Sequence, residues 1–252
     1  LTATIPTGPL ANLRDLGGIA VEGGAVRGRT LFRADDAALI DDPGARALVA
    51  DGVELIIDLR SPEEVAYTGR GVLAGYPPVH LPLPLTREAA GPTVLALMDR
   101  LASAAQPERA MGGWYAEQLR ARAGAVVRGI KAIADTPGAV LFHCAAGKDR
   151  TGVFAAAVLS VLGADRSDIV ADYIRTEDNL GPLLARVAAA RPGAGTDADL
   201  LTRLPPVLLR APRGAMEAML ALLDADGGVV EVLTRAGLTG GTVRRLQEKL
   251  VS

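Results

Sequence analysis

The sequence predicts an α/β fold of three layers, with a mostly parallel central sheet flanked by helices, and three observations carry that expectation. Short, continuous apolar runs alternate with longer stretches of helical periodicity along the whole chain. One such run, Ala139, Val140, Leu141 and Phe142 after Gly138, leads through a short loop straight into a long apolar helix that ends at Gly163. Hydrophobic residues make up 49% of the 252 residues, enough to cover a sheet on both faces.

Residues 9–35 read as an N-terminal extension with strands. Gly17-Gly18 and Gly23-Gly24 mark turns, and Leu31-Phe32 is the expected core strand. Asp41-Asp42-Pro43 starts a short helix to about Ala50, with proline in the first turn. Residues 54–59 form a buried strand, and Ser61-Pro62-Glu63-Glu64 opens another helix with a cap, a proline and early acids. A strand follows around Val79-His80-Leu81. The region from Thr86 to Asp135 is strongly helical, with a long amphipathic pattern from Trp114 to Ala134. Beyond Gly163, Ser167-Asp168 is the expected cap of a helix carrying Tyr173 and Arg175. Two or three helices fill the chain from Leu200 on, broken at Gly227-Gly228 and at Thr239-Gly240-Gly241.

The strand-to-helix loop reads His143-Cys144-Ala145-Ala146-Gly147-Lys148-Asp149-Arg150-Thr151-Gly152 and holds the sole cysteine of the chain. In this setting the amides of residues 145 to 150 can turn inward as a nest, at the positive end of the following helix. Phosphate oxygens fit there, with Ala145, Ala146, Gly147, Lys148, Asp149 and Arg150 around them. Arg150 supplies a planar fork that engages two oxygens at once. The same field favours the thiolate of Cys144, since thiols at helix N-termini beside cations ionise well below the free value. Thr151 is placed to donate its hydroxyl to the sulfur, steadying it as nucleophile and leaving group. His143 points away from Cys144 if the strand alternates, and reads either as a brace of the loop backbone or as a satisfied core histidine.

These residues resemble the signature of cysteine-based protein tyrosine phosphatases. In its fuller form the loop is similar to a bacterial subfamily that also accepts phosphoserine, phosphothreonine and phosphoinositides. The likeness extends to Asn12-Leu13-Arg14-Asp15-Leu16-Gly17-Gly18, to Leu31-Phe32-Arg33-Ala34-Asp35, to Ile57-Asp58-Leu59-Arg60-Ser61, to residues 169–173 and to Ala236-Gly237-Leu238, nearly the whole chain. The resemblance implies one catalytic domain with a tyrosine-phosphatase-like fold over residues 1–252. It also implies metal-independent hydrolysis of phosphate monoesters through a phosphocysteine, with phosphorylated protein or phosphoinositide as substrate and inorganic phosphate as product. No cofactor and no metal are expected. Two histidines, His80 and His143, and one cysteine do not make the usual zinc spacings.

Many tyrosine phosphatases bring the acid from a separate loop, here Leu81-Pro82-Leu83-Pro84-Leu85-Thr86-Arg87-Glu88, which has no aspartate and departs from the subfamily pattern near Leu85. Asp149 is therefore the expected acid, the alternative being a loop brace paired with a cation such as Arg14. Lys148 reads either as an extra charge for multiply phosphorylated substrates or as an exposed loop lysine. Arg14, Asp15 and Arg60 are expected to brace the pocket floor or to form a surface ion network. Part of residues 86–115 either covers the site as a helical lid or packs as a plain hairpin. Trp114 and Tyr115 line its mouth or fill the core.

A net charge of -2, from 27 basic and 29 acidic residues, argues against nucleic acid as main partner and gives no bulk attraction to anionic membranes. No transmembrane segment and no signal peptide are read, so a cytoplasmic chain is expected, with a removed leader left open because the sequence does not begin with methionine. A rhodanese-like sulfurtransferase would also hold a cysteine in an anion nest, but does not need the Arg150-Thr151 pair. An inactive phosphate-binding domain is the other alternative.

Overall fold

The computed structural model describes residues 7–86, 92–182 and 204–252. In chain order the elements are β1 (Arg14–Asp15), β2 (Ala20–Val21), β3 (Gly24–Ala25), β4 (Leu31–Ala34), α1 (Asp42–Ala50), β5 (Val53–Asp58), α2 (Pro62–Thr68), β6 (Val79–Pro82), α3 (Pro92–Ser103), α4 (Pro107–Asp135), β7 (Ala139–His143), α5 (Asp149–Val161), α6 (Arg166–Ile174), α7 (Arg213–Asp224), α8 (Val229–Arg235) and α9 (Gly240–Leu250). The apolar run after Gly138 becomes β7, buried at every position, and it lies at the centre of a five-stranded sheet ordered β1-β4-β7-β5-β6. Strands β4, β7, β5 and β6 run parallel, and only the short edge strand β1 is antiparallel.

Alternation along β7 sorts the two faces. Val140 and Phe142 join the core built with α4, α5 and the C-terminal helices, while Ala139 and Leu141 join the smaller core with Ile40, Ala45, Leu48 and Leu73. The result is helix, sheet, helix. Helix α5 is buried along nearly its whole length, and Phe154 on it meets Phe142 edge-on with ring centres 5.0 Å apart. Helix α4 runs for 29 residues and packs most closely on α7. Gly112 permits that approach, because a Cβ there would lie 2.4 Å from the carbonyl oxygen of Ala215.

The element ends follow local chemistry. Asp41 caps α1 by accepting from the amide of Gly44, and Ser61 and Glu64 form a reciprocal capping box at α2. Helix α5 begins at Asp149, so Arg150 and Thr151 lie in its first turn, and Gly163 at φ +79° ends it. The expected cap of α6 is corrected: the helix starts at Arg166 with Asp165 at the cap position, and Asp168 falls inside the first turn. The tight reversal after Gly163, with the Ala164 amide donating to Leu159, brings the helix start forward. Helices α3 and α4 are joined through residues 104–106 and linked by an Arg100–Glu117 ion pair. Residues 87–91, with the Arg87 and Glu88 that end the expected acid loop, lie outside the described residues, as do 183–203. No helix among the described residues is long and apolar enough to cross a membrane.

Candidate active site

Cys144 follows directly on the carboxyl end of β7, and residues 144–148 link that strand to the first turn of α5. The loop is held from outside by its carbonyls. The Ala145 oxygen accepts from the Asp36 amide at 3.2 Å, and the Gly147 oxygen accepts from Asn12 Nδ2 at 3.0 Å and from an Arg33 guanidinium nitrogen at 2.8 Å. The Ala146 oxygen faces Asn12 Nδ2 at 3.5 Å. Since C=O and N–H of a trans peptide point oppositely, the amides of Ala146, Gly147 and Lys148 are aimed to the inner side. Gly147 is required twice over: its φ is +64°, and a Cβ would stand 2.5 Å from the Ala34 carbonyl oxygen.

The grip on Gly147 is anchored in a buried ion cluster. Asp172 on α6 bridges Arg14, at 2.9 Å from Nε, and Arg33, and Arg14 also donates to Asn12. Burial raises the Asp172 carboxyl, but the two guanidinium groups outweigh it and hold it below the usual range. Burial and the neighbouring charge of Arg33 push Arg14 down to about 10, against the pull of Asp172. None of Asn12, Arg33 and Asp172 was assigned a role from sequence. The signal was there only as short matching segments around each.

Arg150 sits beside Cys144 and forms a two-pronged pair with Glu64, one prong measuring 2.8 Å. Burial lowers its pKa, and the negative charges at Cys144, Glu64 and Asp149 outweigh that and raise it. Glu64 itself also accepts from the Ser61 amide, so one carboxylate serves both the capping box and the guanidinium. Burial opposes its ionisation, and Arg150 reverses the effect. The sequence reading saw Ser61 to Glu64 only as a helix start.

Asp149 is not paired with Arg14. Its Oδ1 accepts from the Tyr115 hydroxyl at 2.5 Å and lies 3.6 Å from Lys148 Nζ. Lys148, read beforehand as an exposed or pocket-facing charge, is buried, and its ammonium donates to the carbonyls of Leu208 at 2.5 Å and Arg210 at 3.0 Å. The lysine stem is spent on packing the loop against residues 206–210. Thr151 is fully buried, and its hydroxyl makes no hydrogen bond among the described residues, to sulfur or to oxygen.

His143 faces the smaller core, away from Cys144. Its Nδ1 accepts from the Ala37 amide at 3.2 Å, which fixes Nδ1 as the unprotonated nitrogen, and Nε2 faces Asp58 at 3.7 Å. Burial pushes its pKa down, leaving a neutral ring. Arg60 is enclosed by Asp58, Asp36, Thr68 and the Gly69 carbonyl, a brace between β5 and the end of α2. Asp15 does not join the floor. Successive strand residues face opposite ways, so while Arg14 turns to Asp172, Asp15 caps the turn at Gly17 and Arg29 through their amides. Tyr115 fills the core with its hydroxyl at the site, and Trp114 packs beside it with ring centres 5.5 Å apart.

A model of the tyrosine phosphatase family matches residues 5–252. A Cupriavidus necator protein provisionally named a tyrosine-protein phosphatase is 29% identical over 236 residues, covering 91% of this chain and 82% of its own length. The triple specificity protein phosphatase PtpB of Mycobacterium tuberculosis is 33% identical over 200 residues, covering 70% of each. The crystal structure of P. aeruginosa TpbA aligns with a TM-score of 0.38 at 21% identity, over 75% of this chain and 96% of its own. The chain belongs to the tyrosine phosphatase family and is a phosphatase, a hydrolase with protein tyrosine phosphatase activity.

Proposed function

We propose that the thiolate of Cys144 attacks the phosphorus of a phosphate monoester in line and forms a phosphocysteine, which water then cleaves to inorganic phosphate. The observation that carries this reading is the set of loop carbonyls held outward by Asp36, Asn12 and Arg33, which turns the opposite amides to the inner side of the loop that Cys144 begins. Those amides and the fork of Arg150 take the phosphoryl oxygens. Asp149, in the same turn, protonates the leaving oxygen, and Thr151 carries the only hydroxyl in that turn free to follow the sulfur. Residues 1–252 act as one catalytic domain.

Phosphotyrosine is the primary substrate, and phosphoserine and phosphothreonine follow if the acid serves poor leaving groups. The triple specificity in the name of the M. tuberculosis relative supports a wide range. A preference for phosphoinositides would need cations other than Lys148, whose ammonium is engaged by Leu208 and Arg210. The test is turnover of p-nitrophenyl phosphate and of phenyl phosphate by wild type, Cys144→Ser and Asp149→Asn. Cys144→Ser abolishes both. Asp149→Asn lowers phenyl phosphate turnover by about 10²-fold or more, within the range of general acid catalysis, and p-nitrophenyl phosphate turnover far less. Full activity in Cys144→Ser sinks the nucleophile, and equal losses in Asp149→Asn sink the acid.

A further inference from the structure

Helix α6 reaches the loop twice, through adjacent residues. Asp172 works on Gly147 through Arg33, and Tyr173 works on Asp149 through Tyr115. The second path has the form of a chain: the hydroxyls of Tyr115 and Tyr173 are 2.9 Å apart, and that of Tyr115 is 2.5 Å from Asp149 Oδ1. Tyr115 is wholly enclosed and Tyr173 nearly so. Burial, with the charge of Asp149 behind it, raises both phenols, so neither gives up its proton. With one proton per phenol, Tyr173 donates to Tyr115 and Tyr115 donates to the carboxylate.

We infer that Tyr115, backed by Tyr173, is a positioning residue that fixes which oxygen of Asp149 carries the proton. The inference rests on the reading of Asp149 as the acid. Oδ1 is taken by the phenol and is the oxygen nearest Lys148, whereas Oδ2 has no hydrogen bond among the described residues. When Asp149 takes up a proton it does so on Oδ2, the oxygen left to meet a leaving group. The Asp149 side chain keeps 21% exposure, so it is not sealed off from an incoming substrate. The charged groups facing Asp149 and the two phenols are Lys148 and Arg150 from the loop, Arg33 from β4 and Glu177 after α6. None of them replaces the phenol at Oδ1.

The experiment measures kcat and KM for Tyr115→Phe and Tyr173→Phe on phenyl phosphate and p-nitrophenyl phosphate, with Asp149→Asn in parallel. In Tyr115→Phe, phenyl phosphate kcat falls roughly tenfold and p-nitrophenyl phosphate kcat less than about twofold, with KM unchanged. Tyr173→Phe, which leaves the bond to Asp149 in place, shows the same leaving-group dependence at a smaller size. Equal losses on the two substrates, or a change in KM with kcat untouched, overturn the inference. If Tyr115→Phe does not fold, the leaving-group dependence of Tyr173→Phe alone decides. Should Asp149→Asn itself show no dependence on leaving group, the acid reading fails and this inference with it; a leaving-group dependence in Asp149→Asn without one in either tyrosine variant removes the positioning role alone.

Discussion

Replacing Asp172 by alanine removes the one carboxylate shared by two buried guanidinium groups. The side chains of Asp172, Arg14 and Arg33 are 2%, 7% and 0% exposed, so water cannot take over the missing charge. Breaking a buried pair by removing one partner costs about 3–5 kcal/mol, because a charge is left uncompensated. Here two cations that already repel each other are left, which places the cost at the upper end of that range. Against a total stability of about 5–15 kcal/mol this is a third or more. At about 2–4 °C per kcal/mol for a chain of this size, the expected fall in Tm is about 10–20 °C. Thermal unfolding followed by circular dichroism measures it. A cycle with Arg33→Met checks the cause: with one cation already gone, Asp172→Ala should cost at least about 1 kcal/mol less than in the wild type. A fall in Tm under 2 °C, or additive effects in the cycle, would refute the argument that this cluster is held together by the shared charge.

Two further outcomes follow from geometry and charge. Gly147→Ala places a Cβ against the backbone of Ala34 and forces a left-handed residue, at about 1–3 kcal/mol for the backbone conformation alone; p-nitrophenyl phosphate turnover is lost while the far-ultraviolet spectrum stays folded, and an active Gly147→Ala enzyme would contradict the loop geometry. Stability declines on acidification in two stages. His143 is held neutral, its value depressed, so the unfolded chain gains a proton first as pH falls below about 6.5. Asp58, Asp172 and Glu64 are held below their ordinary values, so the stability they contribute is complete above about pH 4.5 and is lost as pH falls through the folded values, with a slope of up to about 1.4 kcal/mol per pH unit for each. A Tm that stays level from pH 7 to pH 3 would contradict it.

The elements that read clearly in the sequence are those whose cause is local. The strand before Cys144, the turn at Gly163 and the capping signals at Asp41 and Ser61 depend on neighbours within a few residues, and each stands where the spacing put it. The cap of α6 falls two residues before Ser167 because Asp165 and Ser167 are both cap-type residues, and the cap position actually used makes no side-chain bond that would set it apart. At the site, the loop itself was legible, since its residues are contiguous. Its supports were not. Tyr115 lies 34 residues from Asp149, so the sequence offers it as a residue of the mouth or of the core but not as a partner of that carboxylate, and the pairing of Asp172 with Arg14 and Arg33 spans well over a hundred residues. The burial of Lys148 was equally hidden, because it depends on residues 206–210 crossing the loop from the far end of the chain.

The outer strand β6 presents a free flank among the described residues, with Val79 64% exposed at its start. A flank of that kind invites a second polypeptide to stitch itself on through main-chain bonds. The strand is only four residues long and ends in Pro82, which lacks the donor such stitching requires. The layer is thereby discouraged from growing sideways into assemblies, and the loop after β7, two strands inward, is spared the distortion such growth would bring.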